Sequence, residues 1–145
     1  MLIIAATDGS EASTDALRTG LALVQPGRVL VVTVVPPPDM SLVVGSGVAG
    51  GVMTFDEKSQ MMSDQRGTAA AMLAGTIREL ALSDAEMAVL EGDPAREICR
   101  AAAELGAQAI VLGSRGRGGV ARFFLGSVAL DVVRNAPCPV LTVGS

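Results

Sequence analysis

The segment from Gly113 to Ser127 combines the residue types from which proteins build anion sites. It is rich in glycine, and its charged residues are all cationic: Arg115, Arg117 and Arg122. No carboxylate occurs between residues 105 and 130. Glycine allows a backbone to turn with positive φ and to approach a ligand closely. Consecutive amides in such turns can converge on an anion, so the segment is a candidate phosphate site.

The end of this segment adds a second feature that favours an anion. Gly126 and Ser127 begin a predicted helix, whose first amides and dipole favour negative charge. The Ser127 hydroxyl can donate to a phosphate oxygen, and the arginines can add charge-assisted hydrogen bonds. A glycine-rich connection followed by an ordinary serine cap has the same composition. On these residues alone, a phosphate site and a plain loop both remain open.

Several other chemistries are excluded by residue type. Histidine is absent, which removes Ser-His-Asp catalysis and the commonest metal ligand. Lys58 is the only lysine and no Gly-Lys-Ser/Thr sequence exists, so there is no P-loop. A G-x-G-x-x-G pattern spans residues 45–50, but prolines precede it closely, and its downstream positions fall inside a predicted helix. We interpret it as part of a flexible loop over residues 36–55.

Hydrophobic patterning predicts the elements that must position the glycine segment. Strands are predicted at residues 2–6, 29–35, 87–90, 109–112 and 139–143, and apolar helical spacing occurs between them. Strands that alternate with helices favour a parallel sheet with helices on both faces. A chain of 145 residues suits one such domain.

In a sheet of this kind, ligands bind outside the carboxyl ends of the strands. The segments 7–10, 34–36 and 113 onward follow predicted strands, so we expect them to share one crevice. The methionines of the long helix, such as Met61 and Met72, are expected to be packing residues. Asp56 and Asp64 are expected on the solvated face of that helix.

Three separated motifs now resemble one known family. The spacing Gly113-x2-Gly116-x9-Gly126-Ser127 is similar to the nucleotide-binding pattern of the ATP-binding branch of the universal stress protein family. The opening sequence Thr7-Asp8-Gly9-Ser10 and the closing stretch 136–141 resemble that family's first and last strand signatures. The resemblance covers nearly the full length.

The resemblance implies a Rossmann-like α/β fold of the adenine nucleotide alpha hydrolase type, with five parallel strands ordered 3-2-1-4-5. It also implies roles for individual positions. Asp8 would contact the adenosine portion, and Val34 would line the adenine pocket. The remaining positions that it marks as site residues are Ala6, Thr7 and Val128, then Leu112 and Gly113 beside the ribose, and Gly116, Gly126 and Ser127 around the phosphates. Arg115 is added on its charge alone.

The expected function is that of a stress-response regulatory protein that binds ATP, or ADP or AMP. A magnesium or manganese ion could be bound through the phosphates, with no metal ligand from protein side chains. Phosphoryl transfer needs a positioned base and usually metal-holding carboxylates, which the glycine segment lacks. The alternatives are a slow ATPase, and a dimeric interaction module that binds no nucleotide.

Charge and composition also indicate which partners the protein binds and in which cellular compartment it is found. The net charge of −4 argues against nucleic-acid binding. No apolar run reaches the roughly 18 residues of a membrane span, and no export signal is evident, so a cytoplasmic protein is expected. Cys99 and Cys138 are interpreted as reduced core residues. The last strand, Val140 to Val143, is an apolar edge, and its pairing with a second copy would resemble the family's homodimers.

Overall fold

A computed structural model describes residues 1–37, 54–115 and 125–144 of the chain. Strands and helices alternate through these ranges. In chain order the elements are β1 (Leu2–Ala6), α1 (Glu11–Val24), β2 (Arg28–Val35), α2 (Phe55–Glu79), β3 (Glu86–Glu91), α3 (Pro94–Leu105), β4 (Ala109–Gly113), α4 (Ser127–Asn135) and β5 (Val140–Val143).

The strands form one parallel sheet in the order β3-β2-β1-β4-β5. All four strand pairs are parallel, and the central strand β1 pairs with β2 on one side and β4 on the other. Ile3, Ile4 and Ala5 in β1 have no exposed surface. The predicted α/β class and the order 3-2-1-4-5 are therefore confirmed.

Helices cover both faces of the sheet. One core cluster joins Leu17 and Leu21 of α1 and Leu73 of α2 to the strands. The cluster on the other face contains Ile98 of α3 and Val132 of α4. Because successive residues of a strand point to opposite faces, strands buried on both sides need the continuous apolar runs seen in the sequence.

Local signals set the helix ends. Ser10 accepts a hydrogen bond from the Ser13 amide at the start of α1, and Asp93 accepts one from the Arg96 amide at the start of α3. Thr54 and Glu57 form a reciprocal capping box at the start of α2. Gly106 ends α3 with a left-handed backbone, at φ 63°.

The predicted loop over residues 36–55 is tested only at its ends. Residues 38–53 lie outside the described ranges, so its flexibility stays a prediction. The prediction places Phe55 in this loop, but Phe55 is the first residue of α2. The capping box explains the earlier start, because it satisfies amides that the helix itself leaves unpaired.

The two cysteines are structural residues. Cys99 and Cys138 are free thiols that pack beside the core cluster under α3 and α4. Burial raises the pKa of both thiols, and the charge of the neighbouring Cys138 raises the pKa of Cys99 further. A raised pKa lowers the fraction of reactive thiolate, so neither residue has the character of a nucleophile.

In the part of the chain that the structure describes, no helix is both long and apolar enough to cross a bilayer. Helix α2 has 25 residues, but its first turns are charged, with Asp56, Glu57 and Lys58 in succession.

Candidate functional site

A cavity of about 790 Å³ lies at the carboxyl edge of the sheet. From β1 the chain turns to one side of the sheet through α1 and β2, whereas β4 and β5 lie on the other side. The strand order therefore reverses between β1 and β4, which is where open α/β sheets bind ligands. The cavity extends from this point over the end of β2, with helices of both layers at its sides.

The structure brings ten of the eleven predicted site residues to this cavity. They are Ala6, Thr7, Asp8, Val34, Leu112, Gly113, Arg115, Gly126, Ser127 and Val128. The eleventh, Gly116, lies outside the described residues. The segments that follow β1, β2 and β4 thus share one crevice, as expected from the chain order. What each residue binds there stays a prediction.

The loop after β1 is held rigidly by its own side chains. The Thr7 hydroxyl oxygen accepts hydrogen bonds from the Gly9 amide at 3.0 Å and from the Ser13 hydroxyl at 2.8 Å. The Asp8 carboxylate accepts one from the Ser10 amide at 2.9 Å. Gly9 has φ 81°, which glycine adopts without strain. These bonds fix a carboxylate at the edge of the cavity.

The loop after β4 is closed by two backbone hydrogen bonds. The Ser114 amide donates to the Val143 carbonyl at 2.8 Å, and the Gly126 amide donates to the Ser114 carbonyl at 2.7 Å. The expectation that the Gly126 amide is available to a phosphate is therefore wrong. Gly126 instead ties the end of the glycine segment to its beginning, which places the start of α4 beside the end of β4.

The amides available at this point belong to the first turn of α4. Gly126 provides no side-chain cap, and its carbonyl accepts the first helical bond, from Leu130. The amides of residues 127–129 precede that bond, so the helix itself leaves them unpaired. Among the four helices within the described ranges, the other three have side-chain caps at their first turns. The uncapped end is the one that opens on the cavity.

One side of the cavity was missed by sequence analysis. Six residues of α2 line it: Met61, Asp64, Gln65, Thr68, Ala69 and Met72. Met61 is 48% exposed, so its interpretation as a packing residue is wrong. Met72 packs against the core and Asp64 is exposed, as predicted, although both also line the cavity. The 25 residues of α2 span about 37 Å, much more than a strand of five to eight residues. Its first half therefore passes the sheet edge.

This α2 surface had a signal in the sequence. Residues 61, 65, 68 and 72 follow helical spacing and include both methionine and polar side chains. The second half of α2 has a buried apolar face, and in the first half the same face includes polar residues. This change is typical of a helix whose first half extends beyond the core. Pro94 and Ile98 of α3 also line the cavity and were not predicted.

The charges at the cavity have both signs. Arg115 is the cationic side chain among its described lining residues, and Asp8 and Asp64 are the carboxylates. In the described ranges, no group of three or more His, Cys, Asp or Glu residues could hold a metal ion. The described residues therefore offer an anion several donors and leave a divalent ion no ready-made cage.

The comparison with known sequences decides the family. The profile of the "Universal stress protein family" matches residues 1–144. The chain belongs to the universal stress protein family. A universal stress protein of Thermus aquaticus is 38% identical over 97% of this chain and 96% of its own length. A universal stress protein of Methanocaldococcus jannaschii is 32% identical over 97% of this chain and 80% of its own length.

Solved universal stress proteins share the fold. UspA from Lactobacillus plantarum superposes with a TM-score of 0.76 at 19% identity, over 99% of this chain and 97% of its own. An Archaeoglobus fulgidus member in complex with dAMP has a TM-score of 0.53 at 24% identity, over 99% and 97%. An Arabidopsis thaliana member with AMP bound has a TM-score of 0.59 at 16% identity, over 99% and 91%.

Proposed function

We propose that this universal stress protein is a regulatory protein that binds adenine nucleotides, ATP above all, at the carboxyl edge of its sheet. The observation on which the proposal rests is the uncapped first turn of α4, which opens on a cavity at the point where the strand order reverses. Two structural neighbours in the same family have AMP or dAMP bound, which supports an adenine nucleotide as the ligand class.

The phosphates are assigned to the first turn of α4. Unpaired amides of residues 127–129 and the helix dipole favour an anion there. The Ser127 hydroxyl and the Arg115 side chain, both at the cavity, can add hydrogen bonds. In this proposal Gly116 contributes its backbone, whereas Gly126 acts by closing the loop. A magnesium or manganese ion would be held by the phosphate oxygens rather than by protein ligands.

The nucleoside is assigned to the opposite end of the cavity. Asp8 is fixed by its bond to the Ser10 amide and presents a carboxylate that can accept from ribose hydroxyls or from an amino group. Val34, at the end of β2, and Met61 and Met72 of α2 give an apolar surface suited to a purine ring. Leu112 and Gly113, at the end of β4, also line the cavity, and we assign them to the ribose.

The proposal is tested by the nucleotide that the purified protein retains and rebinds. The chain has neither tryptophan nor tyrosine, so absorbance near 260 nm reports nucleotide almost without protein background. We expect heat extraction and chromatography to release an adenine nucleotide, and calorimetric titration of stripped protein to give saturable ATP binding. Absence of both retention and rebinding would contradict the proposal. GTP serves as the control for the base.

We also propose that the protein is a homodimer through β5. This strand is an edge of the sheet, and its four residues are only partly buried. The Pro139 and Val143 carbonyls point toward β4, because they accept from Ile110 and Ser114. Backbone groups alternate in direction along a strand, so the Thr142 amide faces the free edge. A second copy can pair there.

Thr142→Pro tests this pairing without breaking the β4–β5 ladder, because proline removes only the outward amide. We expect the wild type to sediment at twice the chain mass of 14.7 kDa and the variant to sediment at that mass. Circular dichroism of the variant controls for folding. A wild-type protein that sediments as a monomer at micromolar concentration would contradict the proposal.

We propose that the protein binds its nucleotide in the cytoplasm. The thiols of Cys99 and Cys138 are unbonded, which is typical of proteins in a reducing compartment.

A further inference from the structure

Gln65 is a polar residue of the cavity wall to which the proposed function gives no role. It lines the cavity and is exposed, and its side chain makes no hydrogen bond within the described residues. The neighbouring Asp64 differs, because its carboxylate accepts a hydrogen bond from Gln60 at 3.0 Å. A carboxamide has an acceptor oxygen beside two donor hydrogens. Gln65 can therefore bind a ligand edge on which a donor stands next to an acceptor.

The position of Gln65 on α2 directs it into the cavity. With 3.6 residues per turn, Gln65 lies about 20° around the helix axis from Met72 and about 40° from Ala69, between the two. Met72 faces the loop after β1, because a Cβ atom built on Gly9 would lie 2.9 Å from Met72 Cγ, and Ala69 is buried. A helical side chain leans toward the N-terminus of its helix, which for α2 is the end beyond the sheet edge. Gln65 therefore leans out over the cavity.

The strand order determines which part of a nucleotide meets α2. Helix α4 packs against α3 and β5, whereas α2 packs against β2 and β3. Strands β5 and β3 are the opposite edges of the sheet, with β4, β1 and β2 between them in that order. In the proposed function the phosphates lie at α4 and the ribose lies at the ends of β4 and β1. The base then lies over the end of β2, beside α2.

Apolar side chains surround Gln65 at this end of the cavity. Met61 and Met72 lie on the same face of α2, about 6 Å before it and about 10 Å after it along the helix axis. Val34 lines the cavity from the end of β2. Apolar groups hold the faces of a ring, and a few polar groups fix its orientation. A purine in contact with both methionines meets Gln65 between them.

We infer that Gln65 hydrogen-bonds the edge of the base that carries the 6-amino group and N7, and that this contact makes the site select adenine over guanine. The inference rests on the proposed nucleotide function and adds to it the residue that recognises the base. On adenine, the 6-amino donor stands beside the N7 acceptor, which a glutamine can match with two hydrogen bonds. Guanine presents two acceptors, O6 and N7, at the same edge, so one of them faces the carboxamide oxygen.

Gln65→Met tests the inference, because methionine keeps the length of the side chain and removes its donor and acceptor. By titration calorimetry we expect ATP affinity to fall about tenfold to thirtyfold, the value of two hydrogen bonds between uncharged groups, and GTP affinity to change at most about threefold. The unfolding temperature should stay at the wild-type value, because Gln65 is exposed. Gln60→Met is the matched control, since it makes the same change at an exposed α2 residue that does not line the cavity.

Base analogues separate a direct contact from an indirect effect. Purine riboside triphosphate lacks the 6-amino group, and 7-deaza-ATP lacks the N7 acceptor, while both keep the ribose and the phosphates. We expect wild-type protein to bind each analogue about threefold to tenfold more weakly than ATP. Gln65→Met should bind ATP and both analogues with equal affinity, because a side chain and the group that it contacts are coupled in such a cycle.

The outcomes are distinguishable. Wild-type protein that binds no nucleotide contradicts the proposed function, and the inference with it. Wild-type protein that binds ATP with the same affinity as Gln65→Met contradicts the inference alone. Equal loss of ATP and GTP affinity in the variant also overturns it, because Gln65 would then act on the ribose, the phosphates or the fold. A variant that still binds ATP more tightly than the two analogues, by the wild-type ratios, assigns recognition of the base to other groups and likewise overturns it.

Discussion

Ser127→Asp is expected to lower ATP affinity by a hundredfold or more while leaving the fold intact. The substitution puts a carboxylate on the first residue of α4, beside the unpaired amides assigned to the phosphates. Two like charges about 4 Å apart near a protein surface repel by roughly 4 kcal/mol, which is several hundredfold in affinity. The same carboxylate complements the helix dipole, so the free energy of unfolding should stay constant or rise by about 0.3–1 kcal/mol.

A loss of ATP affinity without a loss of stability would show that Ser127→Asp acts on the ligand and not on the fold. Affinity is measured by calorimetric titration, and stability by urea unfolding followed by circular dichroism. Ser83→Asp is the matched control, because it makes the same change at an exposed residue before β3, at the other end of the sheet. Ser127→Ala removes only the hydroxyl and should cost about tenfold. ATP affinity unchanged in Ser127→Asp would exclude α4 as the phosphate site.

Gly20→Ala is expected to destabilise the fold by about 2 kcal/mol, although alanine is the better helix former. A Cβ atom at Gly20 would lie 2.5 Å from Val111 Cγ1 and 3.1 Å from Val143 Cγ2. Val111 is fully buried in β4, so the contact cannot be relieved by a movement into solvent. Overpacking of this kind typically costs 1–3 kcal/mol, which exceeds the helix-propensity gain of about 1 kcal/mol.

Gly67→Ala is the matched control in α2. No atom lies within 4 Å of a Cβ built there, so only the propensity gain remains. We expect it to raise the free energy of unfolding by up to about 1 kcal/mol. Urea unfolding of the two variants gives the comparison. Equal stability of Gly20→Ala and Gly67→Ala would show that α1 does not pack as closely on β4 as the structure has it.

Several elements of the fold could be predicted from the sequence alone. Strand positions could be predicted because strands buried on both faces require continuous β-branched runs, and 29–35 is such a run. Asp93 and Pro94 specified the start of α3 by local hydrogen bonding and by the fixed φ of proline. Grouping the segments that follow β1, β2 and β4 at one edge needed only the direction of parallel strands.

Other features of the candidate site could not be predicted. The Gly126 amide is bonded to Ser114, twelve residues away, and no spacing rule indicates which carbonyl a loop amide will meet. The α2 residues have helical spacing throughout, but spacing does not tell where a helix passes the edge of its sheet. Outside the site, Lys58 is buried, and its Nζ atom has no hydrogen-bond partner among the described residues. Both properties depend on which atoms pack around that one group, and the sequence does not show them.

By itself, the sequence determined the alternation of strands and helices, the caps of α1 and α3, and the glycine and serine positions that resemble a nucleotide-binding pattern. Each of these follows from interactions between residues close together in the chain. Only the tertiary structure decided which amides are already bonded, which face of α2 lines the cavity, and that Lys58 is buried without a partner. Those properties arise between residues far apart in the chain, where burial and distance, not residue type, set the interaction.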